Sequence, residues 1–328
     1  MIESEKSTGY LKPLLLMFNM IMLAVIFNIM NFDRVNNLDY ENYRVNFELN
    51  WNQFESGFEF ISNIAKYFGL SFDTFWIIVL ALELILLCLL YRSSLLILIA
   101  IPNMLFLSQG LLGTQVRFGL AVTFFLFLYS LVYKSKWRSL YLLIPILFHN
   151  ALVIFYSISF YASYIVDYKE KLIQKSNLIK VIVYIIFVLI LSTFLEFGLR
   201  GLGYEYYVGT KYQQGKSIQS TLYLLISLFF VGYFLFIHKL DSNVLYLKQY
   251  DLASQFLYFS FFILIFSIIF IDSSIISGRL TLVYTLLEPF VAYWLMKTFK
   301  KQITKWSFLL VYLIFCYSKL ITLGMSRL

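Results

Sequence analysis

The sequence predicts an all-α, polytopic membrane protein with about 10–11 transmembrane segments, including short or broken helices. Of the 328 residues, 61% are apolar and only 13% are charged, whereas soluble domains are about half apolar and about a quarter charged. Most of the apolar runs are 17 to 22 residues long, which matches the roughly 20 helical residues that cross a hydrocarbon layer. Because the sequence contains no series of short alternating segments, membrane strands are not expected.

The predicted spans lie at residues 14–30, 75–91, 95–107, 117–133, 178–199, 221–237, 252–271, 279–296 and 306–323. No small-residue cleavage site follows the first span, so we interpret it as a membrane helix that the mature protein keeps. We expect residues 1–328 to form a single integral membrane domain. In this domain, residues 31–72 are a first outer loop and residues 200–220 are a second one.

Residues 139–166 allow two interpretations. They form an apolar run of 28 residues that Pro145 and the pair His149-Asn150 interrupt. The run is either one long tilted helix or two short helices that meet at the His149-Asn150 pair.

The positions of the basic residues favour the second interpretation, because Lys and Arg concentrate in cytoplasmic loops. Basic clusters lie at residues 134–138, 169–180 and 297–305. A double pass by residues 139–166 puts all three clusters on one side, which then holds 16 basic and 6 acidic residues against 10 of each outside. We therefore expect the double pass, with residues 139–148 as a half-helix that is covered by protein or lines a cavity.

The remaining composition excludes several classes of protein. The net charge of +8 follows from the inner loops, so it indicates membrane orientation and not a nucleic-acid partner. Cys88 and Cys316 lie within apolar runs, which is atypical of a disulfide framework or a thiolate metal site. The sequence has no glycine-rich phosphate loop, Cys/His cluster or GxSxG elbow, and we expect neither a cofactor nor a metal.

The first outer loop is the longest polar stretch, with six acidic residues within 27 positions. Many of these acids are expected to be solvated surface. Asp39-Tyr40-x-x-Tyr43 and the predicted turn Glu55-Ser56-Gly57-Phe58 are the exceptions, since they combine carboxylates with aromatic rings. A carboxylate beside an apolar wall can act as a general base, and tyrosine rings provide flat surfaces for sugars.

Two arginines are predicted to open helices on the outer face. Arg117 begins the span 117–133, and Arg279 begins the span 279–296 directly after Gly278. A single arginine of this kind can simply reach the lipid headgroups. A guanidinium at a helix start also suits a phosphate or pyrophosphate, and two of them on the face that disfavours basic residues indicate a function.

Five further positions combine a polar side chain with an unusual setting. Lys211-Tyr212 adds a cation and a ring to the second outer loop, which is otherwise also consistent with an interfacial tyrosine belt. His149 is either a packing residue or part of a cavity wall at the predicted break. Glu83 and Glu288 lie within spans, where acids are candidates for function or for a structural pair; we leave both out of the predicted site.

The ordered set of these residues resembles the EpsG-type branch of the Wzy polysaccharide polymerases, which are bacterial integral membrane proteins. The matching residues are Asp39-x-x-x-Tyr43, Glu55-x-Gly57-Phe58, Arg117-x-x-x-Ala121, Phe148-His149, Lys211-Tyr212 and Arg279-Leu280 with Tyr284. The chain departs from the family pattern at Phe118, where the family often has Gln, and at Ala151, where it often has Ser.

The resemblance implies a polymerase of the bacterial cytoplasmic (inner) membrane, similar to the GT-C glycosyltransferases. Its implied substrates are undecaprenyl-pyrophosphate-linked oligosaccharide repeat units, used in the synthesis of exopolysaccharide, capsule or O-antigen. The growing glycan would pass from its lipid pyrophosphate carrier to the next lipid-linked unit at the outer leaflet. The implied partners are this lipid-linked donor and acceptor, the bilayer, and chain-length regulator and flippase proteins.

The hypothesis assigns the cations to the donor. We expect Arg117 and Arg279 to bind its pyrophosphate, with Lys211 assisting. In a poorly solvated cleft these side chains would stabilise the charge of the leaving group, so that no metal is required.

The acids and rings are assigned to the acceptor and the sugars. We expect Asp39 or Glu55 to deprotonate the acceptor hydroxyl, and Asp39 is favoured because it lies nearer the first span. His149 is a second candidate for acid–base catalysis or contact with the pyrophosphate. Tyr43 and Tyr212 are expected to position sugar.

Three other functions are weighed against a polymerase. A flippase or exporter of lipid-linked sugars would place charges through the middle of the membrane and on both faces, whereas only Glu83 and Glu288 are predicted to be deep. A glycan ligase uses chemistry so close to that of a polymerase that the sequence does not separate them. A membrane acyltransferase would need a better-supported His/Asp pair than His149 provides.

Overall fold

The structure is a computed structural model that describes residues 38–108, 110–173, 218–236 and 247–324. Within these ranges it is all-helical, with no strands. Its α-helices are α1 (Leu38–Leu49), α2 (Ser56–Tyr67), α3 (Phe72–Tyr91), α4 (Ser94–Ser108), α5 (Val116–Val132), α6 (Arg138–Tyr141), α7 (Leu152–Ile173), α8 (Ile218–Phe236), α9 (Leu247–Ile269), α10 (Ser274–Thr298) and α11 (Gln302–Lys319). A 3-10 helix, Ile144–Leu147, precedes α7, and a π-helical turn, Leu320–Gly324, follows α11.

The predicted all-α membrane class is confirmed, and the chain is a multi-pass membrane protein. Every predicted span within the described ranges coincides with a helix, from α3 to α5 and from α8 to α11. Five helical segments are long and apolar enough to cross a membrane: Phe72–Tyr91, Ile218–Leu235, Leu252–Ile269, Ile275–Thr298 and Gln302–Thr322. The predicted spans 14–30 and 178–199 lie outside the described residues.

The chain divides into two compact units, Met1–Val153 and Ile154–Leu328. In the first unit, α3 packs along α5. Gly119 of α5 is required for this contact, because a Cβ there would lie 2.6 Å from the carboxyl Oε1 of Glu83 and 2.4 Å from the carbonyl oxygen of Leu111. Glu83 is fully buried, and neither carboxyl oxygen has a hydrogen-bond partner within the described ranges.

Residues 31–72, which were predicted to form the first outer loop, are helical over much of their described part. This part contains α1 and α2. Their buried aromatic side chains pack against the first turns of α3; this aromatic cluster contains Tyr40, Tyr43, Phe47, Phe58, Phe72, Phe75 and Trp76. The helices were missed because each has only 12 residues, too few for a membrane span, although Tyr40, Tyr43 and Phe47 follow the helical spacing of i, i+3 and i+7.

Residues 138–149 run back along α5. At one end, Arg138 donates from Nη1 to the carbonyl oxygen of Tyr133, which directly follows α5. At the other end, the ring of His149 packs 5.0 Å from the ring of Phe118 in the first turn of α5. Since α5 has 17 residues and is about 25 Å long, this segment returns over its full length.

The returning segment is more broken than the single half-helix that was predicted. It contains the four-residue α6 and the 3-10 helix Ile144–Leu147, separated by two residues. Pro145 is the physical reason, since it has no N–H to donate and its ring obstructs the preceding turn of a continuous α-helix. The predicted break at His149-Asn150 is confirmed, because α7 begins only at Leu152.

In the second unit, α9 packs against α10 and α8 packs against α9. Ser267 of α9 lies 3.0 Å from the hydroxyl of Ser277 and 2.9 Å from that of Thr281. Hydroxyl contacts of this kind hold membrane helices together, because the apolar side chains alone provide little force for their association. The chain therefore ties α9 to α10 through a polar seam.

A buried ion pair joins three helices of the second unit. Lys319 at the end of α11 donates to Glu288 of α10 at 2.6 Å, and their side chains are only 2% and 5% exposed. The hydroxyl of Tyr223 in α8 donates to the same Oε2 of Glu288 at 3.1 Å. Glu288 therefore forms the structural pair that was one of its two predicted roles.

Candidate functional site

Glu55 is the centre of the site in the first unit. It is the N-cap residue of α2, but its side chain makes no cap hydrogen bond to that helix. Its carboxylate instead accepts from Nη1 of Arg117 through Oε2 at 2.5 Å. The two side chains are 11% and 19% exposed, so the pair is partly shielded from water and still reachable.

Arg117, which was predicted to open the span 117–133, is the second residue of α5. Its guanidinium lies over the ring of Phe54, with Cζ 4.4 Å from the ring centroid, a geometry that attracts a cation to the aromatic face. The Nε atom of Arg117 is buried and has no hydrogen-bond partner within the described part of the chain. The guanidinium is thus held in place while part of its donor capacity is unused.

His149 and Asn150 approach the same carboxylate from the break before α7. The backbone N–H of Asn150 donates to Oε1 of Glu55 at 3.0 Å, and Nδ1 of His149 lies 4.0 Å from that oxygen. The N–H of Ala151 donates to Nδ1 of His149 at 3.1 Å. Because Nδ1 accepts here, this geometry assigns the proton of the neutral imidazole to Nε2.

Gly57 makes this approach possible. A Cβ at this position would lie 2.8 Å from the carbonyl oxygen of Leu147 and 3.1 Å from the ring of Phe148. Any side chain would therefore push the backbone before His149 away from α2. Close packing therefore explains why the Glu55-x-Gly57-Phe58 motif contains a glycine. The turn that was predicted at this motif is the first turn of α2.

Tyr43 is buried beside the arginine. Burial raises the pKa of Tyr43 to about 12, Arg117 opposes this shift with its charge and hydrogen bonding, and the charge of Asp39 adds to it. The phenol is therefore neutral at physiological pH and is no candidate for the base. Its ring packs 5.1 Å from Phe54 and 5.6 Å from Phe58.

A second polar cluster holds the segment between α1 and α2. Glu59 is buried, and its Oε1 accepts from the Nδ2 of Asn46 at 2.9 Å and from the N–H of Phe54 at 3.0 Å. The Oδ1 of Asn46 accepts from the N–H of Gln53 at 3.1 Å. These bonds fix Phe54 under the guanidinium of Arg117 and fix the backbone that leads to Glu55.

The structure thus brings together Glu55, Arg117, His149 and Tyr43 of the predicted site. Asp39 lies on α1, where its charge acts on Tyr43, and Glu55, not Asp39, holds the ion pair with Arg117.

The remaining predicted residues lie elsewhere. Arg279 belongs to the second unit and sits in the second turn of α10, since the helix begins at Ser274 and not at the arginine. Lys211 and Tyr212 lie outside the described residues.

Three contributors were not found by the reasoning from sequence: the N–H of Asn150, the ring of Phe54 and the carboxylate of Glu59. The sequence does not reveal which backbone N–H will donate to a site, so the role of Asn150 could not be predicted. The position of Phe54 directly before an acidic helix start could have indicated that its ring lies in the site. Both departures from the family pattern touch His149, through the ring of Phe118 and the N–H of Ala151.

The arrangement is suited to two kinds of chemistry. A guanidinium, a backbone N–H and an imidazole bind an anion through charge-assisted hydrogen bonds. A carboxylate in a partly shielded site accepts a proton from a substrate hydroxyl. The anion-binding group Arg117 and the proton-accepting group Glu55 are joined by a hydrogen bond, so both kinds of chemistry are available in the same place.

Comparison with known protein families gives a match over most of the chain. The model of the EpsG family matches residues 14–326, which is nearly the whole chain and includes every residue of the site. No curated protein and no solved structure matches.

Proposed function

The chain belongs to the EpsG family, and from this premise we propose that it is a polysaccharide polymerase of exopolysaccharide, capsule or O-antigen synthesis. Its substrates are undecaprenyl-pyrophosphate-linked oligosaccharide repeat units. It transfers the growing glycan from the lipid pyrophosphate carrier to the next lipid-linked unit. Family membership supports the general role, and the multi-pass helical fold is consistent with a lipid-linked substrate.

The pairing of Glu55 with Arg117 is the observation that supports the chemical mechanism. The acceptor hydroxyl oxygen attacks the anomeric carbon of the donor, and the bond from that carbon to the pyrophosphate oxygen breaks. The electron pair leaves with the pyrophosphate, whose charge Arg117 stabilises. The hydroxyl proton passes to Glu55, which we assign as the general base in preference to Asp39 because Glu55 lies next to the arginine.

The other predicted residues keep supporting roles in this proposal. His149 contacts the pyrophosphate or shuttles a proton through Nε2, and Tyr43 positions the guanidinium and the sugar. Arg279 and Lys211 supply further cations for the pyrophosphate, and Tyr212 supplies a ring for sugar. The reaction takes place at the outer leaflet of the bacterial cytoplasmic membrane, and flippase and chain-length regulator proteins are the expected partners.

Replacement of Arg117 tests the proposal. We expect Arg117→Ala to abolish long polymer in cells while single repeat units are still attached to the lipid carrier, because the leaving group loses its counter-charge. The measurement is the length distribution of the glycan by gel, together with the amount of inserted protein. Arg44→Ala is the matched control, since Arg44 lies on α1 of the same unit, is exposed and forms an ion pair with Glu41 of the same helix.

Normal long polymer in Arg117→Ala would contradict the assigned mechanism.

Deletion of the whole gene distinguishes a polymerase from a flippase. Loss of a polymerase leaves single-unit glycolipid on the outer leaflet, whereas loss of a flippase traps the units inside.

A further inference from the structure

We infer that the carboxylate of Glu55 occupies the anion-binding position of the site and that the donor pyrophosphate displaces it from Arg117. The inference rests on the proposed function, because it specifies how the assigned pyrophosphate ligand and the assigned base share one guanidinium. According to this inference, binding of the donor pyrophosphate releases Glu55, the assigned base, from Arg117.

The donors around Glu55 form an anion site. Nη1 of Arg117 lies 2.5 Å from one carboxylate oxygen, and the N–H of Asn150 lies 3.0 Å from the other. Nδ1 of His149 lies 4.0 Å from Oε1 of Glu55, but it accepts from the N–H of Ala151 and is not one of these donors. Guanidinium and backbone N–H groups bind phosphate oxygens as readily as carboxylate oxygens, so the same donors fit a pyrophosphate.

Glu55 can leave this position without breaking a side-chain hydrogen bond to α2. Its side chain makes no cap hydrogen bond to α2, so the helix does not depend on it. The guanidinium of Arg117 also keeps its support when Glu55 leaves, because the ring of Phe54 lies 4.4 Å beneath it and Glu59 fixes the backbone of Phe54.

The buried ion pair of Lys319 and Glu288 provides a comparison with a permanent pair. Lys319 and Glu288 are 2% and 5% exposed, and the hydroxyl of Tyr223 shares the same carboxylate oxygen. The pair of Glu55 and Arg117 is 11% and 19% exposed. An incoming ligand therefore reaches the carboxylate of Glu55, but not that of Glu288.

The exchange has a chemical consequence for the order of binding. While Arg117 holds Glu55, Oε2 of the carboxylate is occupied by the hydrogen bond from the guanidinium. When pyrophosphate takes its place on the guanidinium, that oxygen becomes available to the acceptor hydroxyl. The donor is thus expected to bind before the acceptor hydroxyl is deprotonated.

Binding of inorganic pyrophosphate to the purified full-length protein tests the inference. Removal of the competing carboxylate in Glu55→Gln is expected to strengthen binding by about tenfold, as measured by calorimetry at constant ionic strength. Glu55→Asp, which keeps the charge on a shorter side chain, is expected to give a smaller gain. Glu41→Gln is the matched control, because it removes an exposed acid of the same unit and is expected to leave the affinity within about twofold.

Arg117 must be the source of the gain. We expect Arg117→Ala to lose pyrophosphate binding, and the double variant Arg117→Ala/Glu55→Gln to recover none of it. An equal gain from Glu55→Gln in the absence of Arg117 would be a general charge effect and would overturn the inference.

The outcomes separate the inference from the proposed function. If both Glu55 variants bind no tighter than the wild type while Arg117→Ala loses binding, Glu55 is not a competitor, and Arg117 remains the pyrophosphate residue. If Arg117→Ala binds as well as the wild type, or if no variant binds, the displacement inference is overturned. Retained binding in Arg117→Ala also removes the pyrophosphate role assigned to Arg117.

Discussion

At the scale of single residues, Glu55 and Glu59 lie one helical turn apart but have different roles, one in the proposed chemistry and one in structure. Both acids belong to the start of α2, and both accept two hydrogen bonds. Glu55 accepts from a cation and a backbone N–H that are distant in sequence. Glu59 accepts from Asn46 and Phe54 and serves only to fix the segment between α1 and α2.

The two acids are therefore expected to respond differently to the same substitution. Glu59→Gln keeps an acceptor oxygen and should leave polymer length unchanged, whereas Glu55→Gln removes the base and should abolish long polymer. Glu59→Ala leaves two buried donors unpaired and should destabilise the protein by about 1–3 kcal/mol. Polymer gels and denaturant titrations of the three variants measure these effects, and loss of polymer in Glu59→Gln at normal stability would contradict the assignment.

Tyr43 gives a pH dependence at the same scale. Its pKa is raised from 10.0 to about 12 by burial, so its contribution to stability is full below pH 10 and is lost as the pH rises toward 12. The difference amounts to about 2–3 kcal/mol. Wild-type protein should therefore lose stability between pH 9 and 11 faster than Tyr43→Phe, in denaturant titrations at several pH values. Parallel curves would contradict the buried neutral phenol.

At the scale of the elements, close backbone contacts decide where the site forms. The N–H of Asn150 reaches Glu55 only because Gly57 lets the backbone of Leu147 approach α2. A Cβ at 2.8 Å from a carbonyl oxygen cannot be accommodated by a side-chain rotation. The packing of α2 against the segment 138–149 is therefore part of the site.

We expect Gly57→Ala to reduce long polymer strongly and to destabilise the protein by about 1–3 kcal/mol. Gly278→Ala is the matched control, because a Cβ at Gly278 meets nothing within 4 Å and Ala favours a helix by about 1 kcal/mol. The measurement is polymer length at equal amounts of inserted protein. Equal polymer in both variants would show that the approach of residue 147 is not needed.

The ion pair of the second unit joins elements instead of serving chemistry. Lys319→Met leaves Glu288 buried without its cation and should cost about 3–5 kcal/mol, while Lys319→Met/Glu288→Leu should recover most of that loss. Lys301→Met, at an exposed lysine, is the control. Unfolding by detergent titration measures the three variants, and a small effect of Lys319→Met would contradict a structural role.

The elements also show what reasoning from sequence captures. Helices α3 to α5 and α8 to α11 were predictable because the thickness of a bilayer sets the length of an apolar run. Helices α1 and α2 were not, since their stability comes from aromatic packing on α3 and not from hydropathy. Glu55 and Arg117 were identified by residue type, but their pairing joins positions 62 residues apart, which local patterns do not encode.

At the scale of the whole molecule, the topology decides whether the predicted residues share one face. Residues 138–149 return along α5 to the level of Arg117, as the double pass requires. A single pass would instead put the basic clusters 134–138 and 169–180 on opposite sides of the membrane.

Cysteine labelling tests this topology, and the protein is well suited to it because Cys88 and Cys316 are both buried. We expect Asn63→Cys, at an exposed position of α2, to react with a membrane-impermeant maleimide in intact cells. Lys136→Cys and Lys175→Cys should react only after the membrane is opened, because the double pass puts both on the cytoplasmic side. Labelling of Lys175→Cys but not Lys136→Cys in intact cells would establish a single pass. Arg117 and Arg279 would then lie on opposite faces, so they could not act on one pyrophosphate.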